Sequence, residues 1–291
     1  MPKAILIENV KGLLREKFQD YFKYILKRLQ FPLCSKKDEE DWHTHYSRLL
    51  KLTEADFADY EQYTVSYQLV DTADFGIPQR RLRVLISAFR CDLGIQTFQI
   101  APTHSKEALL VDQWITGDYW ERHGISPIDI LGPMDKKILE KLRSTLFYID
   151  DKLPWKTVRD ALSDLPPPVL RGQKDEIPNH VQHPGARIYS GHVGSYWDYP
   201  AKALKAGTHG TPGGENVLCE TSTNLIRYFT TREAARLQTF PDKWHFHGTW
   251  GACIKQLGNA VPVRLAELIS KEIYHRLVSV AEAAVRENIH A

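Results

Sequence analysis

A carboxylate and an amide directly follow the first apolar segment of the chain. Residues 4–7 read Ala-Ile-Leu-Ile, and Glu8 and Asn9 come next. Such a run predicts a buried parallel strand, and ligand crevices of open α/β sheets form at the carboxyl ends of such strands. A carboxyl group with little water around it can stay protonated and donate; the alternative is a helix-start carboxylate favoured by the helix dipole. For Asn9 we expect side chain to backbone bonds that shape the turn.

A second polar group precedes another apolar run. Gln79, Arg81 and Arg83 alternate just before Val84-Leu85-Ile86, so all three are expected on one side of a strand. A guanidinium can hold a carboxylate and the edge of a planar ligand together, which makes Arg83 the expected partner of Glu8. The alternative is an ion-pair ladder on an exposed strand. Pro78 on one side and the apolar run on the other favour the mouth of a cleft.

The elements that must position these side chains indicate an α/β fold. Apolar residues at helical spacing predict a helix over 13–29, ended by Pro32. Residues 33–62 predict a surface insertion with a short helix over 42–52. Further strands are predicted at 64–70 and 84–86. This order is typical of the end of a doubly wound sheet and not of a whole one.

The middle of the chain differs in texture, and regular structure returns at Thr230. Residues 95–228 are rich in Pro and Gly and predict loops and short strands, with helices only at 135–146 and 157–162. Recognition loops are expected in such a segment. Thr230 and Glu233 form a capping-box pattern that opens a helix over 232–237. A Gly-Asn turn then leads into a final amphipathic helix.

Composition excludes several classes of protein. The 291 residues carry a net charge of +2, which neither requires nor excludes a nucleic-acid partner. Four scattered cysteines with no CxxC pair indicate reduced thiols in an intracellular, cytoplasmic protein. No apolar stretch is long enough to span a bilayer, and we expect no membrane partner. His180, His183 and His192 have no nearby cysteine, so we expect no metal site.

Four blocks of sequence together resemble the DNA cytosine-5 methyltransferases, in that family's order. They are Glu8-Asn9-Val10, the Gln-x-Arg-x-Arg block within 74–84, the Arg-Glu-x-x-Arg-Leu-Gln-x-Phe-Pro block at 232–241, and the Gln-x-Gly-Asn-x-Val-Pro block at 256–262. The tripeptide alone arises often by chance, whereas the long blocks in order are specific.

The resemblance implies a fold and its domains. Residues 1–94 would be the C-terminal half of a Rossmann-like, S-adenosylmethionine-dependent methyltransferase sheet. Residues 95–228 would form a loop-rich, mixed target-recognition domain. Residues 229–291 would supply a hinge helix for that domain and a closing segment that returns to the catalytic domain.

The resemblance also implies the chemistry. In this family a thiolate adds to C6 of a cytosine flipped out of double-stranded DNA, and C5 then takes a methyl group from S-adenosylmethionine. By resemblance Glu8 would act at N3 of the base, and Arg83 would bind both Glu8 and the cytosine O2. Asn9, Gln79 and Arg81 would be substrate-binding, and Asn259 and Ala260 would lie against the cofactor. Bacterial relatives usually accompany a restriction endonuclease in a restriction-modification system.

Two elements of the family pattern are missing from the sequence. The Phe-x-Gly-x-Gly cofactor loop is not present, and no cysteine follows a proline as the family's nucleophile does. We therefore expect a partner polypeptide that carries both, as in a split enzyme that is inactive without it. The alternatives are a catalytically inactive, truncated remnant that binds DNA, and a piece of a longer polypeptide.

Basic and glycine residues in the later part of the chain are candidates for DNA contact. Arg232, Glu233 and Arg236 are expected to be mainly structural, although either arginine could meet a phosphate. Two sets remain, phosphate contacts from Arg187, Lys202 and Lys205, and loops approaching a groove at Gly207, Gly210, Gly213 and Gly214 around Thr208 and His209.

Overall fold

The computed structural model describes residues 1–144, 151–174, 176–189, 193–206, 214–220 and 225–290. The chain forms two compact units. The first contains Met1–Val70, Leu82–Ala101 and the chain from Glu267 onward, and the second contains Asp71–Arg81 and Pro102–Ala266. These units differ from boundaries after residues 94 and 228, because segments distant in sequence pack together and sequence order does not report that packing.

The secondary structure of the described residues is as follows. The strands are β1 (Ala4–Val10), β2 (Tyr63–Asp71), β3 (Leu82–Arg90), β4 (His104–Ser105), β5 (Leu153–Pro154), β6 (Ser195–Tyr196), β7 (Val217–Glu220) and β8 (Leu225–Tyr228). The α-helices are α1 (Gln19–Gln30), α2 (Trp42–Leu49), α3 (Lys106–Val111), α4 (Asp118–His123), α5 (Pro133–Ser144), α6 (Val158–Leu162), α7 (Thr231–Leu237), α8 (Trp250–Asn259) and α9 (Val263–His290). A π-helical turn spans Asp112–Thr116, and 3₁₀ turns span Lys11–Leu14, Glu16–Phe18, Glu54–Asp56, Asp59–Glu61, Thr72–Phe75, Cys91–Leu93 and Gly214–Asn216.

The sheet of the first unit has the order β1-β3-β2. β1 runs antiparallel to β3, in a register that pairs Ala4 with Phe89 and Val10 with Arg83. The prediction that the first strand is a buried parallel strand is therefore wrong. An apolar run reports burial and not direction, and here even burial is incomplete, because Leu6 on the edge strand β1 is 39% exposed.

Helix α1 covers one face of this sheet. Phe22 of α1 is buried with Val84 and Ile86 of β3, and partly buried apolar side chains of α1 and β1 surround them. The predicted helix over 13–29 begins only at Gln19, because two short 3₁₀ turns occupy its expected first turns. Strands at 64–70 and 84–86 and a short helix after residue 42 are confirmed, with longer or shorter bounds.

The second unit is built around α6, α7 and α8. Their apolar faces enclose one core, which includes Val158, Leu237 and Leu257, each fully buried. β7 pairs parallel with β6 and antiparallel with β8, and β4 pairs parallel with β5. Helices α3, α4 and α8 were not predicted from sequence. The predicted helix at 157–162 is confirmed, and the one at 135–146 is found as α5, its last two residues lying outside the described part of the chain.

A threonine sets the start of α7, as its sequence predicts. The Glu233 amide donates to Thr230 Oγ1 over 3.1 Å, and the Thr230 amide donates to Glu233 Oε2 over 2.8 Å. Thr230 Oγ1 also lies 3.0 Å from Nδ1 of the buried His180. The capping box is therefore confirmed, and it is buried inside the second unit.

We expect Thr230→Ala to lower the free energy of unfolding of this unit by about 2 kcal/mol, the upper end for a lost N-cap. The change removes the acceptor for the Glu233 amide and the hydroxyl beside His180. Denaturant midpoints measure the effect, and Thr230→Ser is the control because it keeps the hydroxyl. A serine variant as unstable as the alanine variant would show that the methyl group, not the cap, matters.

Among the residues that the structure describes, no helix is both long and apolar enough to cross a membrane.

Candidate active site

Glu8 and Arg83 meet on one face of the first unit's sheet. In the β1–β3 register Glu8 lies opposite Leu85, which puts Arg83 at the diagonal position two residues along on the same face. Arg83 Nε forms an ion pair with Glu8 Oε1, and the two side chains are only 11% and 23% exposed. Arg83 Nη1 also donates to its neighbouring Leu82 carbonyl over 2.8 Å. The expected pairing of these two side chains is present.

The environment of this ion pair is partly desolvated. Burial lowers the pKa of the Arg83 guanidinium from its ordinary value, and the charge and hydrogen bonding of Glu8 act in the opposite direction. Burial disfavours a charge, and the neighbouring carboxylate offsets that penalty. The pair therefore sets a fixed, planar cation against a carboxyl group at the end of two neighbouring strands.

Asn9 is exposed, and its side chain is engaged locally. Its Oδ1 accepts a hydrogen bond from the Val10 amide over 2.8 Å. This is the side chain to backbone bond expected for a residue that shapes a turn. A substrate contact of Asn9 stays a prediction.

Arg81 and Gln79 lie in the second unit and bond to backbone. Arg81 is 3% exposed, and it donates to the carbonyls of Leu204, Gly258 and Ala260 over 3.0, 2.5 and 3.3 Å. Gln79 is fully buried, and its Oε1 accepts from the Leu204 amide over 3.3 Å. The three alternating side chains thus do not share one strand face, because β3 begins only at Leu82. For Gln79 and Arg81 the geometry indicates positioning of the chain; base contact stays a prediction.

Asn259 and Ala260 lie where α8 ends. Asn259 is exposed and Ala260 is partly buried, and the Ala260 carbonyl accepts from Arg81. The preceding Gly258 touches another segment so closely that a Cβ there would lie 2.4 Å from the Ala206 amide nitrogen. An exposed carboxamide on a turn held this firmly fits one polar edge of a cofactor site. It does not fit a whole one, since the sequence holds no glycine-rich loop to complete it.

The charged side chains of α7 are structural, as expected. Arg232 is fully buried and donates to the carbonyls of Pro178 and Trp244 over 3.1 and 2.8 Å. Burial rules out a phosphate contact for Arg232 in this conformation. Arg236 binds both carboxylate oxygens of Asp242, over 3.0 and 2.6 Å, and also pairs with Asp164.

A charged and aromatic group around Asp74 was missed from sequence. The Arg80 guanidinium pairs with Asp71 over 2.9 Å and lies 5.1 Å from the Trp155 ring, whose Nε1 donates to Asp74 Oδ1 over 2.9 Å. Burial raises the pKa of Asp74, which the Trp155 bond partly counters. The signal was available, because Asp74 opens the block that contains Arg81 and Arg83, and Arg80 lies inside it.

The candidate DNA-contacting residues have mixed outcomes. Lys205 Nζ is paired with Glu215 Oε1 over 2.6 Å, whereas Arg187 and Lys202 are partly buried. Four glycine-loop candidates, Gly207, Thr208, His209 and Gly210, lie outside the described residues, as do Gly213 and His192.

The other two histidines have structural surroundings. His180 Nε2 lies 2.7 Å from the Pro166 carbonyl, and His183 stacks on Trp250 with ring centroids 4.1 Å apart. No group of side chains that could hold a metal ion is found within the described ranges.

All four cysteines are free thiols. Burial raises the pKa of the Cys219 and Cys253 thiols, which disfavours the thiolate that nucleophilic attack requires. Cys34 and Cys91 are partly buried and, like the other two, do not follow a proline.

Comparison with known families decides the relationship. A family model of the C-5 cytosine-specific DNA methylases matches residues 42–275. The chain belongs to this family. The match includes Gln79, Arg81, Arg83, Asn259 and Ala260, and it begins after Glu8 and Asn9.

Individual relatives extend the similarity over nearly all of the chain. The Type II methyltransferase M.PspPI of a Psychrobacter species is 28% identical over 278 residues, which are 95% of this chain and 55% of that protein. M.NgoFVII of Neisseria gonorrhoeae is 28% identical over 94% of this chain and 58% of its own length, and M.Eco47II of Escherichia coli is 27% identical over 95% and 54%. The chain therefore spans about half the length of the curated relatives it matches. Among solved structures, the S. pombe Dnmt2 methyltransferase aligns with a TM-score of 0.43 at 16% identity, over 95% of this chain and 67% of that one.

Proposed function

We propose that the chain is one component of a DNA cytosine-5 methyltransferase. It would act in the transfer of a methyl group from S-adenosylmethionine to C5 of a flipped cytosine in a specific sequence of double-stranded DNA. The observation that carries the proposal is the partly desolvated Glu8–Arg83 pair, which combines an acid and a planar cation at neighbouring strand ends. Family membership and the relatives named above support the same reaction.

The pair supplies the electrostatic part of that reaction. Addition of a thiolate to C6 of cytosine moves electron density to N3, and a proton or strong hydrogen bond there lowers the barrier. In our proposal Glu8 provides it, and Arg83 holds Glu8 with one edge of its guanidinium and meets the cytosine O2 with the other. The base must leave the duplex, because C6 is covered by stacking neighbours inside it.

The thiol and most of the cofactor site would come from a partner polypeptide. This chain holds no Pro-Cys pair and no glycine-rich loop, and β1 stands at an edge of the sheet in the described part of the molecule. Val10 and Leu6 on that strand are 53% and 39% exposed, and an edge strand offers unpaired backbone groups to a further strand. S-adenosylmethionine supplies the methyl group when bound, and Asn259 and Ala260 would hold one edge of it.

A DNA-binding remnant without catalysis is the competing function, and the missing nucleophile favours it. Bisulfite mapping of DNA from cells that express the chain with and without its neighbouring gene separates the two. We expect site-specific 5-methylcytosine only with both genes, if the neighbour encodes the missing motifs. Methylation by this chain alone would refute the need for a partner, and no methylation with any neighbour would favour the remnant. Since its relatives are Type II methyltransferases, we expect the modified site to be protected from a matching endonuclease.

A further inference from the structure

An open groove in the second unit is not used by the site described above. Its volume is about 530 Å³. It lies between the 74–84 block and the end of α7, and its walls are Gly76, Pro78, Lys156, Asp160, Ala161, Asp164, Arg236, Thr239, Phe240, Pro241 and Asp242.

Three basic side chains form what we term the cationic rim of this groove, namely Lys156, His104 and Arg264. Lys156 lines the groove, is exposed, and has no ion-pair partner within the described ranges. The His104 ring lies directly over Gly76, where a Cβ would come within 2.6 Å of Cε1. The Arg264 amide donates to Thr239 Oγ1 over 2.9 Å, which fixes Arg264 at the opposite wall.

The charges of the rim act on one another. Burial lowers the pKa of His104, and the positive charges of Lys156 and Arg264 lower it further. Like charges held this close are unfavourable, and a bound anion would relieve them. The groove also contains carboxylates, but these are engaged, because Asp164 and Asp242 bind Arg236, and Asp160 accepts from the Thr157 amide over 2.8 Å. Lys156 therefore stands at an end of the groove where positive charge prevails.

The backbone beside the rim is strained. Thr239 has φ 59°, a left-handed conformation that a β-branched residue rarely adopts. Its hydroxyl holds the conformation by donating to the Gln238 carbonyl over 2.7 Å while accepting from Arg264. Strain of this kind persists where the surrounding structure fixes it, and it concentrates at ligand sites. Here it places the start of α9, with Arg264, beside the groove.

We propose that the cationic rim binds a phosphodiester of the DNA backbone. The inference rests on the proposed function, which makes DNA the partner, and it adds a contact surface remote in sequence from Glu8. The ligand chemistry is a phosphate oxygen, to which Lys156 and Arg264 contribute charge and His104 an imidazole. Phosphate contacts carry no sequence information, so the rim would set affinity and register and not the recognised sequence.

Duplex binding by the full chain tests the rim. Fluorescence anisotropy with labelled duplexes, at a series of salt concentrations, is measured for the wild type, Lys156→Gln, Arg264→Gln and the double variant. We expect weaker binding by a similar factor on every duplex sequence, and a salt slope shallower by about 1 for each lost phosphate contact. Lys136→Gln is the control, since Lys136 is an exposed lysine of the same unit paired with Asp129 at 2.9 Å.

The outcomes separate the two proposals. Binding by the wild type with unchanged affinity and salt slope in the double variant would overturn the rim and leave the proposed function standing. A wild type that binds no duplex would overturn both. Competition with inorganic phosphate identifies the source of the ligand, because a rim saturated by free phosphate without any loss of duplex binding would be a small-anion site and not a DNA contact.

Discussion

A Glu8→Gln chain, assembled with the partner that supplies the thiol, is expected to transfer methyl groups roughly 10²-fold more slowly or worse, the scale of a lost acid–base group. Glutamine keeps the size and the hydrogen-bonding reach of the side chain. It cannot give up a proton to N3, and it removes the negative charge beside Arg83. The guanidinium, only 11% exposed, would then lack its carboxylate partner.

The measurement is single-turnover transfer of a labelled methyl group to a duplex at saturating cofactor. Glu39→Gln, which neutralises an exposed glutamate of the same unit, is the matched control and should leave the rate unchanged. Arg83→Lys should also be slow, because an ammonium cannot hold the carboxyl group and a base edge in one plane. Unchanged turnover in Glu8→Gln would refute the role assigned to Glu8.

Two glycines of one helix are expected to respond to alanine in opposite directions. Gly258→Ala should destabilise the second unit by about 3 kcal/mol, the upper range for overpacking. The added methyl group would lie 2.4 Å from the Ala206 amide nitrogen and 2.7 Å from its Cα, and both are backbone atoms that cannot rotate away. Separation of the two segments would also weaken the Arg81 bond to the Gly258 carbonyl.

Gly251→Ala in the same helix α8 is the matched control. A Cβ there meets no atom within 4 Å, so the change should stabilise the helix by about 0.5–1 kcal/mol through backbone entropy alone. Denaturant midpoints of the two variants give the comparison. If both alanines were stabilising, the close contact between α8 and the 205–206 segment would not exist in solution.

Local signals in the sequence were sufficient for several elements. The Thr230–Glu233 capping box predicted the start of α7, since the residues that make it are three positions apart. The Thr157 cap did the same for α6. The pairing of Glu8 with Arg83 was also predicted, because chemical complementarity and the apolar runs beside both residues indicated neighbouring strand ends.

Features that depend on distant segments could not be predicted. Arg81 bonds to carbonyls up to 179 residues away, so its burial was invisible in the alternation of residues 79–83. Helix α8 contains two glycines and forms because Cys253, Ile254 and Leu257 are buried in the core. The antiparallel direction of β1 follows from its pairing with β3 and leaves no mark in its own apolar run.

The buried arginines grip the main chain and not side chains. Arg232 binds the carbonyls of Pro178 and Trp244, and Arg81 binds those of Leu204, Gly258 and Ala260. Every residue type carries a carbonyl, so these anchor points survive substitutions at residues 178, 204 and 244. The loops between them are thereby free to diverge in sequence without loss of attachment. A frame of this kind allows a new DNA specificity to evolve by loop replacement alone.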